Sequence, residues 1–172
     1  MTAIQCCGTT AVTQRELEVS YATLDPVDME TLIGTWKVDP SYAETPGGKM
    51  FIESGWWGVR FVDEETVDPL LYPDTDGTGV FAADLVSLLA LFATGSRDVS
   101  ARRREVETMT PNGRVRSIEY RGVVSSALIY DQAPVIDYLR AVDRDTIVAA
   151  VERRGMVDRP VYALLRQCAE PR

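Results

Sequence analysis

Four polar side chains stand inside otherwise apolar stretches that are predicted to be strands, and they are the first candidates for chemistry. Arg60 follows SGWWGV, Glu119 and Arg121 flank Tyr120, and Tyr130 ends VVSSALIY. A guanidinium offers a planar set of donors to a carboxylate or an enolate, and Tyr or Glu can polarise a carbonyl. On a regular strand Glu119 and Arg121 share one face, so an exposed ion pair is the alternative interpretation.

The chain lacks the residue types of several common sites. It contains no histidine, which excludes His-based triads and most zinc sites. Cys6, Cys7 and Cys168 have neither metal-ligand spacing nor the even number of a disulfide framework, a pattern typical of reduced thiols. We therefore expect no metal and no cofactor, and no catalytic residue is assigned. The roles of Cys6 and Cys7 stay open.

The charge and the length of the chain set further limits. A net charge of −8 repels nucleic acid and anionic membrane surfaces. No stretch resembles a secretory signal or a membrane span, so we expect a cytoplasmic protein. With 172 residues, 45% of them hydrophobic, we expect a lead-in at 1–23 and a single domain at 24–172. The oligomeric state is left open, with a homodimer as one option.

Capping and periodicity signals predict the elements that position these residues. Asp25 as N-cap, Pro26 and a terminal Gly34 predict a short helix over 26–33. Apolar residues at helical spacing predict a second helix near 84–94, with Asp84 as its cap, and they are Leu85, Leu88, Leu89 and Phe92. The stretch MFIESGWWG fits either a short helix or a bent strand.

The rest of the chain carries strand and turn signals. A turn at 74–79 predicts one hairpin, and Asn112-Gly113 predicts another whose second arm runs from 114 to about 130. VIDYLRAV fits a strand or a short helix, a turn follows at 143–145, and PVYALLRQC supplies a closing strand. This order predicts a mainly β protein, a single antiparallel up-and-down barrel of roughly eight to ten strands with a short N-terminal helix and one or two additional short helices.

A family resemblance follows from four blocks in order. Gly34-Thr35-Trp36 is similar to the Gly-x-Trp signature of lipocalins, and LIGTW, SGWWGVRF, DPLLY and EYRGVVSSALIYDQAPVIDYLRAVDRDT together resemble bacterial GXWXG-domain proteins with an uncharacterised C-terminal domain. The resemblance covers most of residues 31–166. One departure is Val38, where the family pattern has a second glycine.

The resemblance implies a lipocalin-like or fatty-acid-binding-protein-like (calycin) barrel that holds an apolar small molecule. It also implies that Trp36 closes one end of the barrel under a late-strand arginine, for which Arg166 is the candidate. Asp131 and Asp137 flank Pro134 and match the family block, although turn and cap roles explain them equally well.

The adjacent tryptophans of SGWWGVRF complete the candidate site. Neighbouring residues of one element face different surroundings, so we expect one ring of Trp56 and Trp57 in the core and the other at the pocket. Packing of both rings between helix and sheet is the alternative. The candidate ligand-binding residues are Trp56, Trp57, Arg60, Phe61, Tyr72, Glu119, Arg121 and Tyr130.

Three classes of function fit these observations. The first is binding of a small apolar molecule, fatty-acid-like or polyketide-like, inside the barrel. The alternative is a cofactor-independent cyclase, isomerase or cycloaddition enzyme that folds its substrate in the same cavity. The third is a partner-binding protein with a filled barrel. Whether the protein is an enzyme is left open.

Overall fold

The computed structural model describes residues 14–155 and 160–167. Within them the helices are α1 (Gln14–Ser20), α2 (Met29–Leu32), α3 (Pro46–Glu53), α4 (Leu85–Ala93) and α5 (Arg103–Val106), with single 3-10 turns at Tyr21–Thr23, Pro40–Glu44 and Ser100–Arg102. The strands are β1 (Gly34–Val38), β2 (Gly58–Phe61), β3 (Val67–Pro73), β4 (Val80–Ala82), β5 (Gly113–Tyr120), β6 (Val123–Tyr130), β7 (Val135–Asp143), β8 (Thr146–Arg153) and β9 (Val161–Arg166).

Eight of these strands close into an antiparallel barrel. Around the ring the order is β1, β9, β8, β7, β6, β5, β3 and β2, and β2 returns to β1. The short β4 pairs with β3 beside the ring, and the β3–β5 seam has a single paired position, Val67 opposite Gly113. The predicted lipocalin-like up-and-down barrel is confirmed.

The strand alternation gives the sheet two packed faces. On β7, Leu139 belongs to the interior core, while Tyr138 belongs to a second cluster on the outer face. In that outer cluster Tyr120 and Tyr138 stack at 3.8 Å between ring centroids. Arg140 is 2% exposed there and donates from Nη2 to the carbonyl oxygen of Tyr120 at 2.9 Å. Buried guanidinium donors are thus satisfied by backbone acceptors.

The outer cluster explains a difference from the expected lead-in. Residues 14–23 form α1 and a 3-10 turn, and Tyr21 is buried with its hydroxyl donating to the carbonyl oxygen of Tyr138 at 2.8 Å. The lead-in prediction therefore does not hold for 14–23, because Tyr21 covers apolar surface on the barrel wall. Residues 1–13, with Cys6 and Cys7, and Cys168 lie outside the described residues.

The first predicted helix is shorter than expected. It begins at Met29, and its cap is Asp28, whose Oδ1 accepts from the N–H of Thr31 at 2.8 Å. Asp25 cannot cap it, because its carbonyl oxygen accepts from the N–H of Ala141 and holds the chain extended against β7. By contrast, α4 and its cap Asp84 are confirmed.

The predicted hairpin at Asn112-Gly113 is wrong. Asn112 is buried just before β5, its N–H donates to the carbonyl oxygen of Val67 at 3.2 Å, and its Nδ2 donates to that of Ala83 at 3.1 Å. The tight turn lies instead at Arg121-Gly122, with φ of 53° and 79°, and joins β5 to β6. The amide of Asn112 is therefore used in tertiary contacts.

This turn also changes the expected pairing of Glu119 with Arg121. Arg121 has left the strand, and its guanidinium lies 5.2 Å from the centroid of the Tyr120 ring. Both charged residues are exposed. The same-face argument fails because alternation ends where the strand ends.

The two segments with open assignments are now defined. VIDYLRAV is part of β7, and residues before SGWWG form α3, capped by Thr45 Oγ1 on the N–H of Gly48 at 2.9 Å. Gly58 then passes so close to β1 that an added Cβ would lie 1.9 Å from the carbonyl oxygen of Trp36. Only glycine permits so close an approach between the paired strands β1 and β2.

Trp36 closes one end of the barrel under Arg166, as expected from the resemblance. Trp36 is fully buried and donates from Nε1 to the carbonyl oxygen of Leu32 at 2.7 Å. The Arg166 guanidinium lies 4.2 Å from the Trp36 ring centroid and donates from Nη1 to the carbonyl oxygen of Ile33 at 3.1 Å. The indole and guanidinium therefore fix α2 across the barrel end.

We expect Trp36→Ala to lower the free energy of unfolding by about 3 to 5 kcal/mol, because it removes a fully buried indole and leaves a cavity. Arg166→Met keeps most of the aliphatic stem but loses the donors to the carbonyls of α2, so a smaller loss of about 1 to 3 kcal/mol is expected. Urea unfolding followed by far-UV circular dichroism measures both. An unchanged midpoint for Trp36→Ala would contradict the assignment.

Candidate functional site

A cavity of about 310 Å³ is lined by the interior face of the barrel and by the helices α3 and α4. Its walls are mainly aromatic and aliphatic, with a few polar groups. The lining residues are Tyr42, Met50, Phe51, Trp56, Leu70, Leu85, Leu89, Tyr130, Gln132, Ala133, Pro134, Val135, Asp137, Val151, Arg153, Pro160 and Tyr162. A volume and composition of this kind are typical of small-molecule sites.

Helix α4 and the β6–β7 turn approach each other at this cavity. Leu85 and Leu89 of α4 line it together with Gln132, Ala133 and Pro134 of the turn. Gln132 Nε2 donates to Oδ2 of Asp84, the residue that caps α4. The helix cap and the turn are therefore tied together by one side-chain hydrogen bond.

Trp56 is the centre of the aromatic wall. Its ring meets those of Tyr42, Phe51 and Tyr162 edge-on, with centroids 5.9, 5.9 and 5.3 Å away. Its Nε1 donates to the carbonyl oxygens of Gly58 and Pro69. Since the indole N–H is used within the protein, Trp56 contributes apolar ring surface to the cavity.

A buried carboxyl group, Asp137, also lines the cavity. Its Oδ2 accepts hydrogen bonds from the hydroxyls of Tyr162 at 2.7 Å and Tyr130 at 3.1 Å. Asp137 is 1% exposed, and its Oδ1 has no hydrogen-bond partner among residues 14–155 and 160–167. Oδ2 thus accepts two hydrogen bonds from the protein, and Oδ1 is left without a donor among those residues.

Burial controls the ionisation of this cluster. It raises the pKa of Asp137 to about 7, although the hydrogen bonds from Tyr162 and Tyr130 act in the opposite direction by favouring the carboxylate. Burial, followed by the charge of Asp137, raises the pKa of Tyr130 and Tyr162 well above the usual range. Both phenols therefore stay protonated, while Asp137 exchanges its proton near neutral pH in a chain without histidine.

Two of the eight predicted site residues line the cavity, namely Trp56 and Tyr130. Trp57 is partly exposed, and Phe61 and Tyr72 are fully buried in the interior core outside the lining. The Tyr72 hydroxyl lies 3.1 Å from Ser54 Oγ. The sequence predicts one of the two tryptophan rings in the core and the other at the pocket. Trp56 instead belongs to both the core and the cavity wall, and Trp57 to neither.

The charged candidates lie away from the lining residues. Arg60 Nη1 is 3.4 Å from Oδ2 of Asp68 across the β2–β3 pair. Glu119 is exposed near the end of β5, and Arg121 is in the turn that follows. The structure does not bring these three residues together with Trp56 and Tyr130, and their contribution to ligand binding stays a prediction.

Sequence reasoning did not place Asp137, Tyr42 or Tyr162 in the site. The turn and cap roles considered for Asp137 are wrong, because it pairs with Leu128 and Val151 in the middle of the sheet. An acidic residue inside the apolar strand pattern VIDYL was a usable signal, since buried carboxylates are rare without a partner or a function. Asp131 does lie at the turn and pairs with Arg114 at 3.0 Å.

Comparisons with known proteins agree with this architecture. Residues 20–77 match the family described as GXWXG protein, and residues 111–167 match the family described as a domain of unknown function, DUF4334. A crystal structure of a protein from Thermomonospora curvata is similar, with a TM-score of 0.70 and 27% sequence identity over 91% of this chain and 88% of that one. No curated protein matches significantly.

Two features are absent from the described residues. None of their helices is long and apolar enough to cross a membrane. The same residues hold no group of three or more Cys, Asp or Glu side chains arranged to hold a metal ion.

The raised pKa of Asp137 predicts a pH-dependent stability difference between wild type and Asp137→Asn. As the pH rises from about 4 to about 7, the unfolded carboxyl ionises while the folded one stays protonated, so folding becomes less favourable. Between about pH 5 and pH 8 the wild type should lose on the order of 2 to 3 kcal/mol relative to Asp137→Asn.

Urea unfolding of both proteins at several pH values measures this difference. Groups that titrate equally in both proteins cancel in the comparison, and Asp131→Asn at the neighbouring turn is the matched control. A constant difference between wild type and Asp137→Asn across this range would show that the carboxyl has an ordinary pKa.

Proposed function

We propose that this chain, whose residues 20–77 match the GXWXG family and whose residues 111–167 match DUF4334, binds a small apolar molecule with one polar end inside its barrel cavity. The observation that carries the proposal is the composition of the lining. Aromatic and aliphatic walls favour an apolar body, and the carboxyl group of Asp137 supplies a polar anchor at a defined place. Ligand sites commonly combine many apolar contacts with few polar groups that set orientation.

The charge at the anchor supports a choice between ligand classes. A fatty-acid carboxylate next to Asp137 would meet a second negative charge in a site of low polarity, which is unfavourable. A neutral carbonyl can accept a hydrogen bond from the protonated carboxyl group, and a hydroxyl can also donate one to the carboxylate. Next to Asp137 the cavity therefore favours a polyketide-like neutral ligand over a fatty acid anion, and the one cation among the described residues of the lining, Arg153, has an exposed side chain.

Helix α4 supports a route into the cavity. Val86 and Leu89 on this helix are 57% and 39% exposed, and Leu89 also lines the cavity. Apolar residues that reach both solvent and cavity are expected at an entrance. The hydrogen bond between Asp84 and Gln132 spans helix and turn at this place.

A second candidate function is catalysis in the same cavity. The observation that favours it is Asp137, which lines the cavity and whose Oδ1 is buried without a hydrogen-bond partner among the described residues. An acid–base group in a water-poor cavity is a common element of cofactor-independent enzymes.

Tryptophan fluorescence should report an occupied cavity through Trp56 alone. A ligand that displaces solvent from the cavity changes the surroundings of the Trp56 ring, whereas the rings of Trp36 and Trp57 are not part of the lining. We expect the emission change on titration with an apolar ketone in wild type and in Trp57→Phe, and its loss in Trp56→Phe. Loss in Trp57→Phe alone would contradict this placement of the pocket.

Native mass spectrometry and calorimetry test the proposed function directly. The titration panel compares a neutral polyketide-like ketone, a fatty acid and a hydrocarbon, with Arg60→Met as a control outside the lining. The expected order of affinity is ketone above hydrocarbon above fatty acid, unchanged by Arg60→Met. Failure of all three classes to bind would overturn the proposal, and selective loss of fatty-acid binding in Arg60→Met would move the polar anchor to Arg60.

A further inference from the structure

We propose that the cavity is a proton-transfer site for a neutral, enolisable carbonyl compound, with Oδ1 of Asp137 as the acid–base atom and the Tyr42 hydroxyl as donor to the carbonyl oxygen. This inference rests on the proposed function, because the substrate must first bind in the cavity. It goes further by assigning a reaction class and a catalytic residue.

The hydrogen-bond pattern separates the two oxygens of Asp137. Tyr130 and Tyr162 both donate to Oδ2, from β6 and β9, and fix the orientation of the carboxyl group. Asp137 lines the cavity, and its Oδ1 is buried and has no hydrogen-bond partner within the described part of the chain. Buried polar atoms without partners are rare in folded proteins and often belong to functional sites.

Tyr42 completes the polar end of the cavity. Its ring centroid lies 5.0 Å from that of Tyr162, and it lines the cavity without donating a hydrogen bond to Asp137 among the contacts of the described residues. Burial and then the charge of Asp137 raise the pKa of Tyr42, while a side-chain hydrogen bond with Thr45 acts in the opposite direction, so the hydroxyl stays protonated. A protonated phenol near a carboxylate is suited to receive a developing oxyanion.

The remaining groups around Asp137 are compatible with a base that changes protonation state. Asp137 accepts hydrogen bonds from Tyr130 of β6 and Tyr162 of β9, and its charge acts on Tyr42 of the 40–44 turn. Tyr42 and Arg153 of β8 line the same cavity, and the side chain of Arg153 is exposed. Burial, set against the phenol hydrogen bonds, brings the pKa of Asp137 to about 7. The carboxyl group can therefore accept a proton and return it at neutral pH.

The proposed step conserves all atoms and electrons. Asp137 Oδ1 removes a proton from the carbon next to the carbonyl, the C–H electron pair forms a C=C bond, and the C=O π pair moves to oxygen, which accepts from the Tyr42 hydroxyl. Asp137 then returns the proton to the same carbon. If the substrate is a β,γ-unsaturated ketone, Asp137 returns the proton to the γ carbon instead, and the C=C bond moves to the α,β position in conjugation with the carbonyl.

Hydrogen–deuterium exchange of simple apolar ketones tests the proposal without the natural substrate. Acetophenone, α-tetralone and cyclohexyl methyl ketone are incubated with the intact protein in deuterium oxide, and loss of the proton signal next to the carbonyl is followed by NMR. The exchanging proton of acetophenone is on a methyl group, whereas α-tetralone and cyclohexyl methyl ketone offer one on a ring carbon next to the carbonyl. Calorimetry records the binding of all three probes. We expect exchange of a bound ketone to be at least about 100-fold faster with wild type than with Asp137→Asn.

The pH profile separates catalysis from a structural effect of these residues. Because the carboxylate is the base, the wild-type rate should rise with pH and level off above a pKa of about 7, whereas Asp137→Asn should show no such inflection. Tyr162→Phe removes a hydrogen bond that lowers the pKa of Asp137, so its inflection should move to higher pH. Tyr42→Phe should lower the rate and keep the inflection.

Two matched controls lie outside the cavity. Tyr138→Phe changes the next residue on β7, on the outer face of the sheet, and Asp131→Asn makes the same carboxyl-to-amide change at the turn. Both should retain the wild-type rate and profile. Ketone binding that persists in Asp137→Asn shows that this variant is folded.

The outcomes distinguish the two levels of the proposal. Ketones that bind but exchange no faster with wild type than with Asp137→Asn overturn the proton-transfer site and leave ligand binding intact. An inflection that does not move in Tyr162→Phe overturns the assignment of Asp137 as the base. Failure of every apolar probe to bind overturns the proposed function, and the inference with it.

Discussion

The stacking of the Arg166 guanidinium on the Trp36 indole is the contact on which the barrel closure depends. Trp36 lies on β1 and Arg166 on β9, and the two residues are direct partners across the pair that joins the first strand to the last. The same guanidinium donates to backbone carbonyls at the end of α2. Arg166 thus connects the first strand, the last strand and the helix that covers them. The face of the Trp36 ring offsets part of the cost of removing the guanidinium from water.

This contact also joins the two segments of the chain that match family models. Trp36 lies in the first segment, residues 20–77, which matches GXWXG, and Arg166 lies in the second segment, residues 111–167, which matches DUF4334. The cavity likewise draws Tyr42 and Trp56 from the first segment and Asp137 and Tyr162 from the second. Neither segment contains a complete barrel or a complete cavity, so the two must fold together for either to have a site.

Stability and chemistry have opposite requirements at Asp137. Closing the barrel buries apolar surface, which stabilises the fold, and the same closure removes water from the carboxyl of Asp137, which disfavours its charge. Two tyrosine hydroxyls offset part of that cost at one oxygen and leave the other without a protein partner. Asp137 therefore lies at the cavity wall in a position where an apolar residue would give equal or greater stability.

The turn between β5 and β6 illustrates what a local pattern can and cannot give. Asn112-Gly113 carries the stronger turn signal, yet the backbone N–H of Asn112 donates to Val67 of β3 and its side chain donates to Ala83, the residue after β4. Arg121-Gly122 forms the turn, with a non-glycine residue at positive φ. Pairing of eight residues on each side of it outweighs the local cost of that conformation.

By itself the sequence determined the strand-rich barrel, the helix α4 with its Asp84 cap, and the burial of Trp36, because alternation, capping and a Gly-x-Trp pattern are properties of short stretches of chain. Only the tertiary structure decided that Asp137 faces the interior with Tyr130 and Tyr162, and that Arg60, Glu119 and Arg121 lie elsewhere. Burial and ionisation depend on partners from β6, β7 and β9 and from the 40–44 turn, which are distant in sequence and meet only when the barrel closes.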